Sequence, residues 1–119
     1  MYIYKMRNSL NEKNNLNEQI TYEGEVIISV LQELNYILCS LHDMGSYYLN
    51  NNSQEYEKET THFIDSSLVC DRLARIRKVL IEKFDLREGD DGLDDIERAC
   101  EDIVYWSKPG DYSGKFWIK

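Results

Sequence analysis

Apolar residues recur at helical spacing through the stretch Thr21–Asn50. They fall three or four positions apart over about six turns. The positions are Ile27, Val30, Leu31, Leu34, Ile37, Leu38, Leu41, Met44 and Tyr48. A helix with such a face needs other segments to cover it. The pattern therefore predicts a central helix from about Tyr22 to Leu49, with Thr21 as its N-cap.

A second helical pattern runs from about Gln54 to Phe84, after the asparagine-rich turn 50–52. Its first part is charged, and an apolar stripe follows. The stripe consists of Phe63, Ile64, Leu68, Leu73, Ile76, Leu80 and Phe84. Ser53 is predicted to cap this region, and Asp65-Ser66-Ser67 could either cap a new helix or lie inside one long helix. The short turn favours an antiparallel hairpin with the central helix.

A third core helix is predicted from about Leu93 to Trp106. Its inward residues would be Leu93, Ile96, Cys100, Ile103 and Val104. The segments Met1–Met6 and Lys115–Ile118 could form short strands that pair with each other. The sequence therefore predicts an all-α fold, an antiparallel bundle of three to four helices in a single domain spanning residues 1–119.

Composition and charge narrow the class of protein. A hydrophobic content of 42% with one proline indicates a folded chain, and the net charge of -8 disfavours nucleic-acid binding while favouring a basic partner. We expect no membrane span, because Gln32, Glu33 and Asn35 interrupt the best apolar run, and no secretory leader. Three widely spaced cysteines are typical of reduced thiols, so we expect a cytoplasmic protein.

The negative charge is concentrated in one segment. Residues 85–102, here called the acidic segment, hold nine acids and two bases, whereas the rest of the chain holds thirteen acids and twelve bases. The candidate partner-binding residues are Asp90, Asp91, Asp94, Asp95, Glu97, Glu101, Asp102 and Tyr105. Five of these acids lie on the predicted third helix and face away from its apolar stripe, with Tyr105 on the side of Asp94 and Glu101. The five are Asp94, Asp95, Glu97, Glu101 and Asp102. An aromatic side chain surrounded by charged residues is a common anchor of protein interfaces. The alternative is that this charged helix face is only solvated.

Catalytic and metal chemistry have little support in the sequence. Cys39, His42, His62 and Cys70 could in principle supply four zinc ligands, but no Cys-x-x-Cys is present, and buried thiols that act as small core residues are the favoured interpretation. The acidic segment lacks the spacing of an EF-hand loop. Neither histidine lies in a recognisable catalytic motif, and no phosphate-binding glycine loop occurs. We therefore expect no enzyme activity and no cofactor.

In size, acidity and helical pattern the chain resembles the small bacterial immunity proteins of contact-dependent growth inhibition systems. The resemblance is one of type over the whole chain and involves no specific motif. It implies a cytoplasmic inhibitor that binds a cognate toxin domain, often a cationic nuclease, and blocks its active site. Two alternatives are an acidic protein of a phage or mobile element that mimics nucleic acid, and a helical adaptor or structural protein that could be a homodimer.

Overall fold

The computed structural model describes residues 16–50 and 52–111. These ranges contain four helices: α1 Gly24–Tyr47, α2 Ser53–Ser66, α3 Val69–Ile81 and α4 Asp95–Ala99. No strand occurs within them, so the prediction of an all-α helical bundle is confirmed. The segments Met1–Met6 and Lys115–Ile118, predicted as short strands, lie outside the described residues.

The chain divides into two compact units. The hairpin unit is Gln19–Phe84 and contains α1, α2 and α3, and the terminal unit combines Met1–Glu18 with Asp85–Lys119 and contains α4. The hairpin unit is therefore inserted between the two parts of the terminal unit. The single domain over residues 1–119 stays a prediction.

Within the hairpin unit, α2 and then α3 run antiparallel to α1. The side-chain contacts show the direction, because residue numbers fall along α1 while they rise along its partners. In that order the pairs are Tyr48–Tyr56, Tyr36–Phe63, Glu33–Arg72 and Tyr22–Leu80. The predicted antiparallel hairpin is thus present, and α1 contacts both of the later helices.

The second helical region is two helices rather than one, and the break lies at Leu68. This residue adopts a left-handed conformation with φ of 53°, which is costly for a side chain with a Cβ. A polar cluster surrounds the break: Arg72 donates to the Ser67 carbonyl at 2.8 Å and to Glu33 at 2.9 Å, and its guanidinium lies 4.4 Å from the ring centroid of Tyr36. These contacts fix the start of α3 against the middle of α1.

The predicted helix caps differ from the observed ones. α1 begins after Glu23, which makes no side-chain cap hydrogen bond, so the prediction of Thr21 as the N-cap is wrong. α2 is capped by Asn52, whose side-chain oxygen accepts from the backbone amides of Gln54 and Glu55, and Ser53 is the first helical residue instead. Asparagine is a strong N-cap, and its position one residue earlier lets the helix begin sooner.

The core of the hairpin unit is thin. Among the described residues the buried apolar side chains are Val30 and Ile37 of α1 with Val69 and Ile76 of α3. α1 is long and apolar enough to cross a membrane by length and composition, a test that core helices of soluble proteins also pass. The expectation that no apolar run has this length is therefore wrong, since the polar residues that interrupt the run leave its mean hydropathy at 1.2.

The third predicted core helix is much shorter than expected. α4 covers Asp95–Ala99, and the chain from residue 103 to 108 is irregular. Ile103 and Val104, predicted to face inward, are about half exposed at 50% and 51%. Glu101 and Asp102 follow the helix at its negative end, where acidic side chains are unfavourable, and two β-branched residues come next. These local preferences end the helix although the apolar spacing continues.

Candidate protein-interaction site

The acidic segment begins with a loop shaped by two glycines. The backbone amide of Gly89 donates to the carbonyl of Leu93 at 2.9 Å, and that of Gly92 donates to the Gly89 carbonyl at 3.0 Å. Gly92 has φ of 78°, a conformation that glycine adopts without steric cost. The loop therefore folds back on itself just before α4.

Arg98 closes this loop from within α4. Its guanidinium donates two hydrogen bonds to Asp91, from Nε at 2.8 Å and from Nη2 at 2.7 Å. It also donates to Asp95 at 2.9 Å and to the carbonyl of Leu93 at 2.6 Å. Arg98 and Asp95 are each only 4% exposed. A buried charged pair is tolerated only when its hydrogen-bonding groups are satisfied, and this network provides the partners.

Asn17 ties the N-terminal part of the terminal unit to the same network. Its side-chain amide nitrogen donates to the carbonyl of Asp85 at 2.9 Å and to the Asp95 carboxylate at 2.6 Å. Its side-chain oxygen accepts from the backbone amide of Asp85 at 2.8 Å. One asparagine thus holds both the entry to the acidic segment and its buried carboxylate.

The start of α4 is a complete capping box. Asp94 accepts from the backbone amide of Glu97 at 2.8 Å, and Glu97 accepts from the backbone amide of Asp94 at 3.0 Å. Both acids are favourable at the positive end of the helix. Neither of them forms an ion pair with a described residue, so both charges remain available to a partner.

Two carboxylates of the segment are held ionised by arginines. Hydrogen bonds from Arg98, and then from the backbone amide of Leu93, lower the pKa of the Asp91 carboxyl well below its ordinary value. Hydrogen bonds from Arg87 lower the pKa of Asp85 in the same way. These carboxylates are already engaged within the chain, so they offer less to a partner.

The structure divides the eight predicted partner-binding residues into three groups. Asp95 is buried, so the prediction that it faces away from the core is wrong, and Asp91 is engaged by Arg98. Tyr105 is 67% exposed, but α4 ends at Ala99, so the prediction that it shares a helix face with Asp94 and Glu101 is also wrong. The others retain carboxylates outside any ion pair with a described residue. They are Asp90, Asp94, Glu97, Glu101 and Asp102.

Glu88 joins these five, which leaves six carboxylates of the acidic segment without an arginine or lysine partner among the described residues. The three paired acids are Asp85, Asp91 and Asp95, and their partners are Arg87 and Arg98. Arginines of the same segment therefore neutralise a minority of its carboxylates, and six of the nine keep a negative charge that no described residue pairs.

An exposed apolar run follows these acids, and Tyr105 is the member of it that was predicted as part of the site. Ile103, Val104, Tyr105 and Trp106 are between 50% and 73% exposed. Tryptophan and tyrosine are over-represented among residues that dominate binding energy at interfaces. The adjacent aromatic residues Tyr105 and Trp106 were the feature of the sequence that could have indicated this run. The run was missed as a whole because the predicted third helix placed Ile103 and Val104 in the core. We call Glu101–Trp106 the docking strip.

The possible zinc ligands do not form a cluster. Among the described residues no group of three or more histidine, cysteine or acidic side chains could hold a metal ion. Cys39 and Cys70 are exposed free thiols and Cys100 is half-buried, so the interpretation of these cysteines as buried core residues is wrong for the first two. They lie on helix faces that the thin hairpin leaves uncovered.

In comparisons with known proteins, no family model, no curated protein and no solved structure matches this chain. Function must therefore be inferred from the site itself. Unpaired carboxylates beside exposed aromatic side chains are suited to binding a basic protein surface.

Proposed function

We propose that this protein is a cytoplasmic immunity protein that binds a basic toxin domain, such as a cationic nuclease, and neutralises it by covering its active site. The observation that carries the proposal is a group of six carboxylates that have no arginine or lysine partner among the described residues and are followed along the chain by an exposed tyrosine and tryptophan. Carboxylates attract and orient a basic partner, and aromatic side chains supply contact area once it has docked.

The network around Arg98 supports this role by holding the loop in one shape. Arg98 donates to Asp91 and to Asp95, and Asn17 donates to Asp95, so the loop and the start of α4 are connected by side chains as well as by backbone. A surface that is already ordered loses less conformational entropy when it binds. The unpaired acids Asp90, Asp94 and Glu97 are carried by this ordered frame.

The charge of a nuclease active site explains why this surface would inhibit one. An enzyme that cleaves nucleic acid holds phosphates with clustered lysine and arginine side chains. A strip with Glu101 and Asp102 followed by Tyr105 and Trp106 would place carboxylates where phosphates bind and aromatic rings against the surrounding surface. The partner is thereby blocked at the groove that it uses.

The decisive experiment is affinity capture from the native host with three forms of the full chain. The first is wild type, the second carries Glu101→Lys with Asp102→Lys, and the third carries Glu59→Lys with Asp65→Lys. The last pair are exposed acids of α2, so the control changes the net charge by the same amount at another place. We expect the wild type and the control to capture a basic toxin, and the reversal in the docking strip to lose it.

Growth protection completes this test. Expressed with the captured toxin, the wild type and the control should protect host cells, and the variant with the strip reversed should not. Equal capture by all three forms would reject the docking strip. Capture of a host enzyme that binds nucleic acid, with no toxin, would reject immunity and favour the nucleic-acid mimic.

A further inference from the structure

The apolar face of α1 is wider than the hairpin covers. In heptad notation, positions a, d and g are apolar from Ile27 to Tyr48, apart from Gly45 at one a position. The g residues Val30 and Ile37 are buried inside the hairpin unit. The a residues Leu31 and Leu38 are 49% and 65% exposed. The hairpin thus covers one flank of the heptad stripe and leaves the other in water.

The two edges of the hairpin differ in chemistry. One edge carries the polar cluster in which Arg72 of α3 meets Glu33 and Tyr36 of α1. Successive helical residues point about 100° apart, so Leu73 lies on the other side of the α3 core row from Arg72. By the same rotation, Leu31 and Leu38 lie across the α1 core row from Glu33.

This second edge is apolar along its whole length, and we call it the open edge. Its members, each between 37% and 65% exposed, are Leu31, Leu34, Leu38, Ile64 and Leu73. All three helices of the hairpin unit contribute to it. A sustained heptad pattern is typical of packing against another helix, so the occupant should be helical.

Two opposite charges flank the open edge. Glu57 precedes Ile64 by seven residues, about two helical turns, and therefore lies on the same face of α2. Arg77 follows Leu73 by four residues, about one turn, and lies on the same face of α3. Both side chains are exposed, and neither forms an ion pair with a described residue. The edge is therefore acidic at the end where α2 begins and basic at the end where α3 finishes.

We propose that the open edge is the interface of an antiparallel homodimer. A twofold axis perpendicular to the helices, at the middle of the open edge, would bring Glu57 of each copy beside Arg77 of the other. This arrangement gives two equivalent ion pairs. The leucines of the two α1 helices would meet between those pairs and complete each other's heptad seam. A parallel arrangement would instead place like charges together at both ends. The charge pattern therefore selects a second copy of this chain in the antiparallel orientation.

The first test measures association of the full chain by analytical ultracentrifugation over a range of concentrations. Wild type should form a dimer, and the double variant Leu31→Gln with Leu38→Gln should be monomeric or show a Kd at least about 100-fold higher. The matched control is Leu86→Gln, because Leu86 is 46% exposed but belongs to the terminal unit and not to the helices that form the open edge. Circular dichroism confirms that the variants remain helical, as expected for exposed positions.

The second test uses charge exchange to fix the orientation. Glu57→Arg and Arg77→Glu should each raise the dimer Kd by about tenfold or more, because each places like charges at both ends of the interface. The double variant that carries both substitutions should recover the wild-type Kd. Recovery is a result that a general loss of stability cannot produce.

Three results would overturn the proposal. Wild type could remain monomeric at all concentrations, or the dimer could persist with both leucines replaced. Alternatively, the chain could bind vesicles of phosphatidylcholine and phosphatidylglycerol through Leu31 and Leu38 without self-association, which would make the open edge a membrane surface. Unchanged Kd values for both single charge variants would overturn the antiparallel orientation.

Discussion

Arg98 illustrates how one side chain organises a surface that is otherwise acidic. Its guanidinium is buried and bonds to Asp91, Asp95 and the carbonyl of Leu93, so it satisfies groups from both the loop and the helix. Removal of one partner from a buried pair is costlier than loss of the pair itself, because a buried charge remains uncompensated. Stability of the terminal unit should therefore depend on Arg98 more than on any exposed arginine.

We expect Arg98→Met to destabilise the terminal unit by about 3 kcal/mol, since it strands the buried Asp95 carboxylate. Urea unfolding followed by tryptophan fluorescence measures the change. Arg87→Met is the control, because the Arg87 side chain is 69% exposed in its pair with Asp85, and little change is expected there. Adding Asp95→Leu to Arg98→Met should restore part of the stability. Equal effects of the Arg87 and Arg98 substitutions would contradict a role for the buried network.

The pKa of Asp91 makes a prediction about pH. Hydrogen bonds from Arg98 lower the pKa of the Asp91 carboxyl in the folded state below its ordinary value of 3.8. Ionised Asp91 therefore contributes its full stabilisation at pH values above 3.8, and that contribution is lost as the pH falls towards the lowered pKa. The stability difference between wild type and Asp91→Asn should therefore be constant near neutral pH and shrink in acid. An NMR titration of the Asp91 carboxyl carbon provides the direct measurement. An inflection at or above 3.8 would contradict the hydrogen-bonded geometry.

At the scale of single residues, the sequence located the acidic segment but did not predict which of its carboxylates are bound by other residues of the chain. Arg98 follows Asp95 by three positions, a spacing that suits a contact on one helix face. Asp91 lies in the loop before α4, so no helical spacing predicts its contact with Arg98, and burial depends on the surrounding chain. Asn17, which also donates a hydrogen bond to the Asp95 carboxylate, lies 78 positions away in the sequence. Such a distant amide cannot be identified from local spacing, so Asp95 was assigned to the surface.

Among the helices, the junction of α2 and α3 carries the clearest strain. Leu68 adopts a left-handed conformation and its side chain is 58% exposed, so little packing offsets the steric cost. Local sequence preference would let one helix continue through this point. The polar contacts of Arg72 with Ser67 and Glu33 instead stabilise the break.

We expect Leu68→Gly to raise the free energy of unfolding by up to about 1 kcal/mol, because glycine removes the Cβ clash at positive φ. Asn50→Gly is a matched control, since Asn50 also has positive φ, 69°, but asparagine tolerates that conformation better than leucine. Thermal unfolding of the two variants provides the comparison. A loss of stability in Leu68→Gly, with no change for Asn50→Gly, would show that the Leu68 side chain contributes more than its backbone costs.

Helix periodicity predicted the long elements well and the short one poorly. The nine apolar positions at helical spacing from Ile27 to Tyr48 favour no other regular structure for that stretch, and the asparagine-rich turn favours the hairpin. In the predicted third helix, Ile96, Cys100 and Ile103 satisfy the same spacing, but the acids that follow α4 oppose further helix. The spacing of apolar residues does not include this electrostatic preference, so the predicted third helix is longer than α4.

For the whole molecule, the uneven distribution of charge predicts a response to salt. The two acids of the docking strip, Glu101 and Asp102, are exposed and form no ion pair with a described residue. The Debye length shortens to about 3 Å at 1 M salt, so their attraction for a cation should weaken. A lysine-rich peptide, used as a model cation, should bind wild type at low salt and lose at least about tenfold in affinity at 0.5 M salt. The Glu101→Lys, Asp102→Lys variant should bind more weakly than the Glu59→Lys, Asp65→Lys control. Salt-independent binding would mean that these carboxylates do not attract the cation.

The insertion of the hairpin between the two parts of the terminal unit has a consequence for the order of events during synthesis. Asn17 leaves the ribosome early, but its partners Asp85 and Asp95 are translated only after the whole of Gln19–Phe84. At about 5–20 residues per second, α2 is complete roughly one to six seconds before Asp85 and Asp95 are made, so α1 can meet α2 before those partners exist. The nascent chain can therefore begin to form the hairpin unit first, and Asn17 gains its partners only when the last third of the protein has been made.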